Sequence, residues 1–241
     1  MRPELAFVVP VYDEELVLER SLAEMTAFLE QLGQRFEIVC VDDGSRDASA
    51  RLLAAAAARD PRVRVLRHER NRGKGAAVRT GMLASEAEIS VFMDADLSTP
   101  LEELRALLAA MAAGNEVVLG NRRAHGSRIT RRQPWLRERL GRGFTWLTRV
   151  ALAPGIDDFT CGFKGFRHAA AQAVFSRSTL DGWAFDAELV VIARAQGLRI
   201  AQVPVRWSHK DDSKVRLTAA VLGSLRDLAR IFGRRLAGRY R

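Results

Sequence analysis

The sequence predicts an α/β fold, a mostly parallel sheet covered on both faces by helices, and two observations predict it. Short apolar, β-rich runs alternate strictly with longer helical stretches over the first half of the chain, the pattern of strands buried on both faces and joined by helical crossovers. The residues able to do chemistry fall where the apolar runs end, the edge at which ligands gather in such sheets. At 241 residues, 48% of them hydrophobic, the chain is long enough for one sizeable α/β domain and a modest appendage. The domain is expected over 1–213 and a basic amphipathic helix over 214–241.

Taken in order, strands are expected at Leu5 to Val9, Phe36 to Val41, Val63 to Leu66, Ile89 to Met93 and Val117 to Leu119. Between them lie helices at Glu14 to Leu32, Asp47 to Ala58, Gly75 to Ala84 and Pro100 to Ala113. The run Ala54 to Ala58 reads as ordinary helix of high alanine propensity. Thr99 suits the N-cap of the fourth helix, with Pro100 at its first position. After Gly120 the alternation gives way to a basic loop, Asn121 to Arg132, and then a helical stretch from Trp135 to about Leu152. The remainder, Asp157 to Trp207, holds a Gly-Phe-Lys-Gly-Phe run, a helix starting near Asp186 and a strand-like Ile200 to Trp207. There is no internal repeat.

Composition narrows the function classes. Cys40 and Cys161 are the only cysteines and lack metal-ligand spacing, so neither a zinc site nor a disulfide framework is expected, and a reducing cytoplasm is the default. The start from Met1 shows no secretion-signal pattern, and no apolar run is long enough to span a bilayer. A formal net charge of +9 predicts attraction to something anionic. Nucleic acid is disfavoured, because no aromatics interleave the basic residues and no recognition-helix or zinc-finger pattern is present.

Three segments carry chemistry. Val91 to Pro100 ends an apolar run with Asp94 and Asp96 one residue apart, so that in extended geometry both carboxylates point to one face. Two hard oxygen ligands there can hold a divalent ion that keeps open positions for substrate phosphates; the bland alternative is two solvated loop aspartates. Val41 to Asp47 reads structurally as a turn, with Gly44 supplying unusual dihedrals and Ser45 or Asp47 capping the next helix. That does not require the two acids Asp42 and Asp43, either of which, Asp43 by preference, can accept a hydrogen bond from a nucleobase N–H or a ribose hydroxyl. Asn71 to Arg79 is a glycine-rich, basic helix start suited to an anion, although it is neither a P-loop nor a dinucleotide fingerprint.

These residues resemble the inverting glycosyltransferases of family 2, which have the GT-A fold. The likeness rests on Val8 to Glu15, the Asp42-Asp43-Gly44-Ser45 turn and Asp94-Ala95-Asp96. Asn71 to Ala77, Thr160 to Lys164 and Trp183 to Glu188 look most like dolichyl-phosphate β-glucosyltransferases and their prokaryotic relatives, and the likeness runs from Leu5 to about Lys214. It implies that Pro10, Tyr12, Glu14, Val41 and Asp43 line the base and ribose of a nucleotide sugar, with Lys74, Ala95 and Lys214 also on the donor. Asp94 and Asp96 would sit beside the diphosphate and hold Mg²⁺ or Mn²⁺, and Arg122 would reach phosphate, with Arg123 its competitor for that role. Ser98 and Asp211 depart from the mannosyl pattern, which has glutamine and glycine at those places.

The implied reaction is inverting transfer of a hexose, glucose from UDP-glucose, to a polyprenyl or dolichyl phosphate. Rivals are a mannosyl- or N-acetylhexosaminyltransferase, a soluble sugar acceptor, and a non-catalytic nucleotide- or nucleic-acid-binding module. A phosphate acceptor, with its second ionisation near pH 6, needs no strong base. It needs positive charge, for which Arg122, Arg131, Arg132 and Lys214 are suppliers. Asp158 and the Asp186/Glu188 pair would orient sugar hydroxyls or cationic side chains, and Asp186 would become the base for a soluble acceptor. In the appendage Leu217, Val221, Leu225, Leu228 and Phe232 recur at helical spacing opposite Arg226, Arg230 and Arg234. Arg235, Arg239 and Arg241 extend the charge against Asp227 alone, which suits anionic headgroups. Trp135 and Trp146 mark a second surface, and together they suggest a peripheral enzyme at the cytoplasmic face of a membrane.

Overall fold

A computed structural model describes residues 2–131, 139, 143, 145, 146, 148–150, 152–209 and 217–241; side chains are described in all of these except 217–222, 224 and 225. Nine strands are described: β1 (Leu5–Val11), β2 (Phe36–Asp42), β3 (Val63–Arg67), β4 (Ile89–Met93), β5 (Val117–Asn121), β6 (Arg128–Arg131), β7 (Phe163–Arg167), β8 (Ile200–Pro204) and β9 (Arg206–Ser208). The helices are α1 (Leu18–Gln31), α2 (Ser49–Arg59), α3 (Lys74–Ala84), α4 (Leu104–Ala112), α5 (His168–Phe175), α6 (Phe185–Ala195) and α7 (Leu217–Leu236). A 3₁₀ turn at Leu101–Glu103 leads into α4.

Seven strands form one sheet in the order β3-β2-β1-β4-β7-β5-β8, with β7 antiparallel to both neighbours and all other pairings parallel. β6 and β9 make a separate parallel pair. Both faces of the sheet are buried, which is why its strands read as apolar runs without alternation. On one face Phe7, Val9, Ile38, Cys40 and Val91 meet Leu22 and Met25 of α1, Leu53 of α2 and Leu107 of α4. On the other, Val8, Val39, Phe92 and Phe166 meet Val78 and Met82 of α3, Val174 of α5, and Val190 and Ile192 of α6.

Strand order reverses between β1 and β4: β2 follows β1 on one side, and the chain then crosses to the other side to lay down β4. That switch point opens a crevice at the carboxyl ends of the strands. Because β7 runs antiparallel, its amino end arrives at the same edge, which brings 160–163 beside the end of β4.

Several expectations shift. Val205 interrupts the expected strand from Ile200 to Trp207, giving β8 and β9. Helix α1 starts at Leu18 rather than Glu14, because the backbone N–H groups of Asp13, Glu14 and Glu15 donate to Ser45, Ser49 and Asp47. Thr99 is buried, Pro100 is extended, and no side chain caps the turn before α4. The described residues between 139 and 150 are helical, in the stretch expected from Trp135, although Trp135 itself lies outside the described residues. Among the described residues, no helix is long and apolar enough to cross a membrane.

Candidate active site

The ends of β1 and β2 are zipped together by side chains bonding backbone. Ser45 Oγ accepts from Asp13 N (3.0 Å), Ser49 Oγ from Glu14 N (2.8 Å) and Asp13 Oδ1 from Arg46 N (2.7 Å). Asp13 is held at φ +54°, an uncommon conformation for a non-glycine residue. Pro10 pairs with Val41 across the two strands, so Pro10, Tyr12, Glu14 and Val41 share one end of the crevice.

Asp43 reaches the next loop. Its Oδ1 accepts from Arg72 N (3.0 Å) and meets His68 Nδ1 (2.6 Å), and its Oδ2 accepts from Gly73 N (2.8 Å). A carboxylate has about four acceptor sites, so Asp43 spends most of its capacity fixing the start of α3. His68, which the sequence reading passed over, is clamped between Asp43 and Thr80 Oγ1 (3.0 Å). Asp42 is fully buried, bonds Ser45 N (2.8 Å) and pairs with Arg67. Gly44, at φ +75°, lies against the backbone of Arg70 and Asn71 so closely that a Cβ would sit 2.6 Å from the Arg70 carbonyl carbon, which explains glycine there.

The fixed start of α3 aims Lys74 across the crevice. Its Nζ pairs with Asp94 Oδ1 and lies 5.6 Å from the centroid of the Trp183 ring. β4 ends at Met93 and the chain turns at once, so the two aspartates are brought together by a turn, not by alternation along a strand. Leu97 takes φ +52° to close it. Ser98 does not stand alone: its N (2.8 Å) and Oγ (2.7 Å) both donate to Asp96 and fix that carboxylate. Ala95 is buried between the two acids. Gly162 backs onto this turn, and a Cβ there would overlap the Asp94 carboxylate.

Two further ion pairs complete the cluster. Arg122, one residue beyond β5, is gripped by the fully buried Asp158 through Nε (2.7 Å), Nη2 (2.8 Å) and its backbone N (3.1 Å), while Thr160 Oγ1 accepts from Nη2 (2.8 Å). Arg123 is exposed and turns to the Asp157 carbonyl (3.2 Å), so of the two arginines Arg122 is the one in the crevice. Lys164, the second residue of β7 and fully buried, donates to Cys161 O (2.6 Å) and pairs with Asp186 in the first turn of α6. Within Thr160 to Lys164 the sequence assigns Lys164 no role; the available signal is a lysine inside a phenylalanine- and glycine-rich strand, which must be paired to be buried.

The charges act on one another. Burial raises the Asp96 carboxyl above its usual range and the charge of Asp94 adds to this, against the bonds from Ser98 and the charge of Lys74. Burial also raises Asp186, opposed chiefly by Lys164 and Lys74. Burial alone would lower Lys74, but Asp94, Asp186 and Asp96 outweigh it and hold it above its usual value. Asp158 is subject to the same burial, yet Arg122 carries it below the usual carboxylate range. Among the described residues, four carboxylates (Asp94, Asp96, Asp158, Asp186) thus face three cations (Lys74, Arg122, Lys164), and the imbalance lies at the Asp94/Asp96 turn.

That imbalance bears on the expected cation. Among the described residues, no three His, Cys, Asp or Glu side chains gather to hold a metal ion. Two hard carboxylates with an uncompensated charge nevertheless fit a cation that takes its other ligands from phosphate oxygens and water.

Other expected residues lie elsewhere. Glu188 is fully buried and accepts from Thr179 N (2.8 Å), Thr179 Oγ1 (2.9 Å), Leu180 N (2.9 Å) and Tyr240 Oη (2.8 Å); it braces the fold on a side of α6 different from that of Asp186. Arg131 is exposed at the end of β6, where its carbonyl accepts from His209 N (3.1 Å). Arg132, Lys214 and Asp211 lie outside the described residues. In α7 Leu228 and Ile231 are buried and Phe232 is 46% exposed. Arg226 and Arg230 are exposed, and Arg234 stacks on Tyr240 at 5.4 Å.

Comparison with known proteins agrees with this architecture. The chain is 37% identical over 226 residues to a dolichyl-phosphate beta-glucosyltransferase of Trichomonas vaginalis, covering 89% of this chain and 67% of that protein. It is 32% identical to the human dolichyl-phosphate beta-glucosyltransferase, covering 99% and 78%. Among solved structures, glucosyl-3-phosphoglycerate synthase from Mycobacterium tuberculosis, in complex with Mn²⁺, UDP-glucose and phosphoglyceric acid, superimposes with a TM-score of 0.71 at 20% identity, covering 96% of this chain and 80% of that one; this establishes the shared fold. The family model for Glycosyl transferase family 2 matches residues 6–175, and on that match and these identities the chain belongs to glycosyl transferase family 2.

Proposed function

We propose that the chain transfers glucose from UDP-glucose, with inversion, to the phosphate of a dolichyl or other polyprenyl phosphate, as a peripheral enzyme at the cytoplasmic face of a membrane. The observation that carries the reading is the cluster at the switch point, where Asp94 and Asp96 meet Lys74 under the ends of β1 and β4. The names of the relatives support the choice of glucose and of a dolichyl phosphate.

Pro10, Tyr12 and Val41 line the base, and Glu14 and Asp43 serve the ribose side, Asp43 doing so chiefly by fixing the loop that carries Lys74. Asp94 and Asp96 would hold Mg²⁺ or Mn²⁺, and such an ion would supply positive charge to the departing diphosphate. Lys74 and Lys214 add fixed positive charge beside that diphosphate. Arg122, its guanidinium plane locked by Asp158, takes the acceptor phosphate together with Arg131 and Arg132. Since that phosphate is already ionised at neutral pH, Asp186 need not act as a base. It is paired with Lys164 and acts on Lys74 through its charge, which makes it a positioning residue. Residues 214–241 meet the membrane surface.

The test is transfer of radiolabel into extractable lipid, with UDP-glucose, GDP-mannose and UDP-N-acetylglucosamine offered in parallel to purified protein, Mn²⁺ and detergent-dispersed polyprenyl phosphate. Label from UDP-glucose alone is the expected result. Label from another donor rejects the sugar, and intact donor hydrolysis with no label in lipid rejects the acceptor.

A further inference from the structure

Beyond the strand-end site, the far end of α6 carries a second cationic recess. Arg194 lies eight residues after Asp186 on the helix, about 12 Å along its axis at 1.5 Å per residue. There a cleft of about 350 Å³ is floored by Leu152 and Val191, walled by Tyr240, and lined by Arg194, Arg235 and Arg241. Among the described residues, no acidic side chain lines it.

The cleft is built from fixed parts. Tyr240 is 1% exposed, donates its hydroxyl to Glu188 Oε1 (2.8 Å) and accepts from Gln196 Nε2 at its carbonyl (2.6 Å). Arg194 donates to Pro154 O (2.5 Å) and Arg235 to Leu152 O (2.8 Å). Those carbonyls orient the two guanidinium groups at the cleft. Partial burial and the charge of Arg235 lower the pKa of Arg194 below its usual value, as expected where like charges converge.

The elements that meet at the Arg235–Leu152 bond also carry exposed apolar side chains. Trp146 (66%) and Val150 (64%) are exposed, and Phe232 (46%) and Leu236 (73%) stand four apart in α7, where they share a face. A convergent cationic cleft flanked by exposed apolar pairs matches the chemistry of a lipid headgroup and its acyl boundary. We propose that this cleft seats the phosphate of an anionic lipid headgroup and docks the chain on the membrane, separately from the nucleotide-sugar site. The choice of a lipid over free phosphate rests on the membrane reading above.

The test is flotation of the full chain with phosphatidylcholine vesicles with and without phosphatidic acid. Wild type is expected to float with the phosphatidic acid vesicles, and Ala195→Glu, which places a carboxylate at an exposed position lining the cleft, is expected to weaken this about tenfold. Arg194→Gln should do the same. The Ala195→Glu chain should keep the wild-type melting temperature and the wild-type rate on detergent-dispersed polyprenyl phosphate. Flotation of both variants at the wild-type level, or of wild type equally on neutral vesicles, would overturn the proposal. Release from the vesicles by inorganic phosphate at low concentration would overturn the lipid assignment. Cleft-dependent flotation without glucose transfer by wild type would uphold this site and reject the proposed reaction.

Discussion

Breaking the Lys164–Asp186 pair is predicted to cost more than any surface change, and the cost should depend on which partner is removed. Both side chains are at most 4% exposed, so removing one leaves the other buried with a charge to accommodate, a loss of about 3–5 kcal/mol. For a chain of this length about 1 kcal/mol shifts the melting temperature by roughly 2–4 °C, so a drop of roughly 6–20 °C is expected. In Asp186→Ala the ammonium keeps the Cys161 carbonyl but loses its counterion. In Lys164→Met the carboxyl, already raised by burial, can take a proton, so this variant should regain stability as pH falls from 7 to 5 while Asp186→Ala should not. The double variant Lys164→Met/Asp186→Leu removes both charges and should recover most of the loss. Urea unfolding followed by circular dichroism at both pH values measures all four proteins. Single variants within about 1 kcal/mol of wild type, or a double variant no better than the worse single, would show that the buried pair does not carry this cost.

Further outcomes follow from the same geometry. Burial pushes the Cys40 thiol up to about 12 and the Cys161 thiol up to about 11, so neither should react with a disulfide reagent at pH 8 until urea unfolds the chain; rapid reaction of the native protein would contradict their placement. Asp158 has a folded-state pKa below its unfolded value of about 3.9, so its stabilisation is complete above that value and is lost as pH falls through the lowered one. The stability gap between wild type and Asp158→Asn should therefore be flat from pH 7 to 5 and shrink below about pH 4, and a gap that widens on acidification would reject the assigned pair. Gly162→Ala must displace Asp94, so turnover should fall about tenfold to a hundredfold with little change in melting temperature. An unchanged rate would show that Asp94 is not held where the chemistry needs it.

Much of the fold was legible because parallel strands buried on both faces have to be apolar throughout. β1 to β5 begin at the residues expected from their apolar runs, and their chemical residues fall at the expected ends. What was not legible depends on contacts distant in sequence. Nothing local to Phe163–Arg167 shows that β7 inserts antiparallel between β4 and β5, yet that insertion carries Gly162 and Lys164 to the site. Helix α5, eight residues with no side-chain cap, offers too short a period to read. Asp186 and Glu188 looked like a pair, but residues two apart on a helix point to different sides, and the second braces Thr179, Leu180 and Tyr240. Phe232 sits at the expected apolar spacing and is half exposed, because Leu228 and Ile231 make the inner face of α7.

Calorimetric titration of UDP-glucose into wild type and Asp96→Ala, each with and without Mn²⁺, separates a metal-assisted donor site at the Asp94/Asp96 turn from a binding module. Tight binding is expected only for wild type with Mn²⁺, with loss of the Mn²⁺-dependent part in the variant. Equal affinity in all four titrations would contradict the metal-assisted donor site and leave a module whose acids bind no catalytic cation.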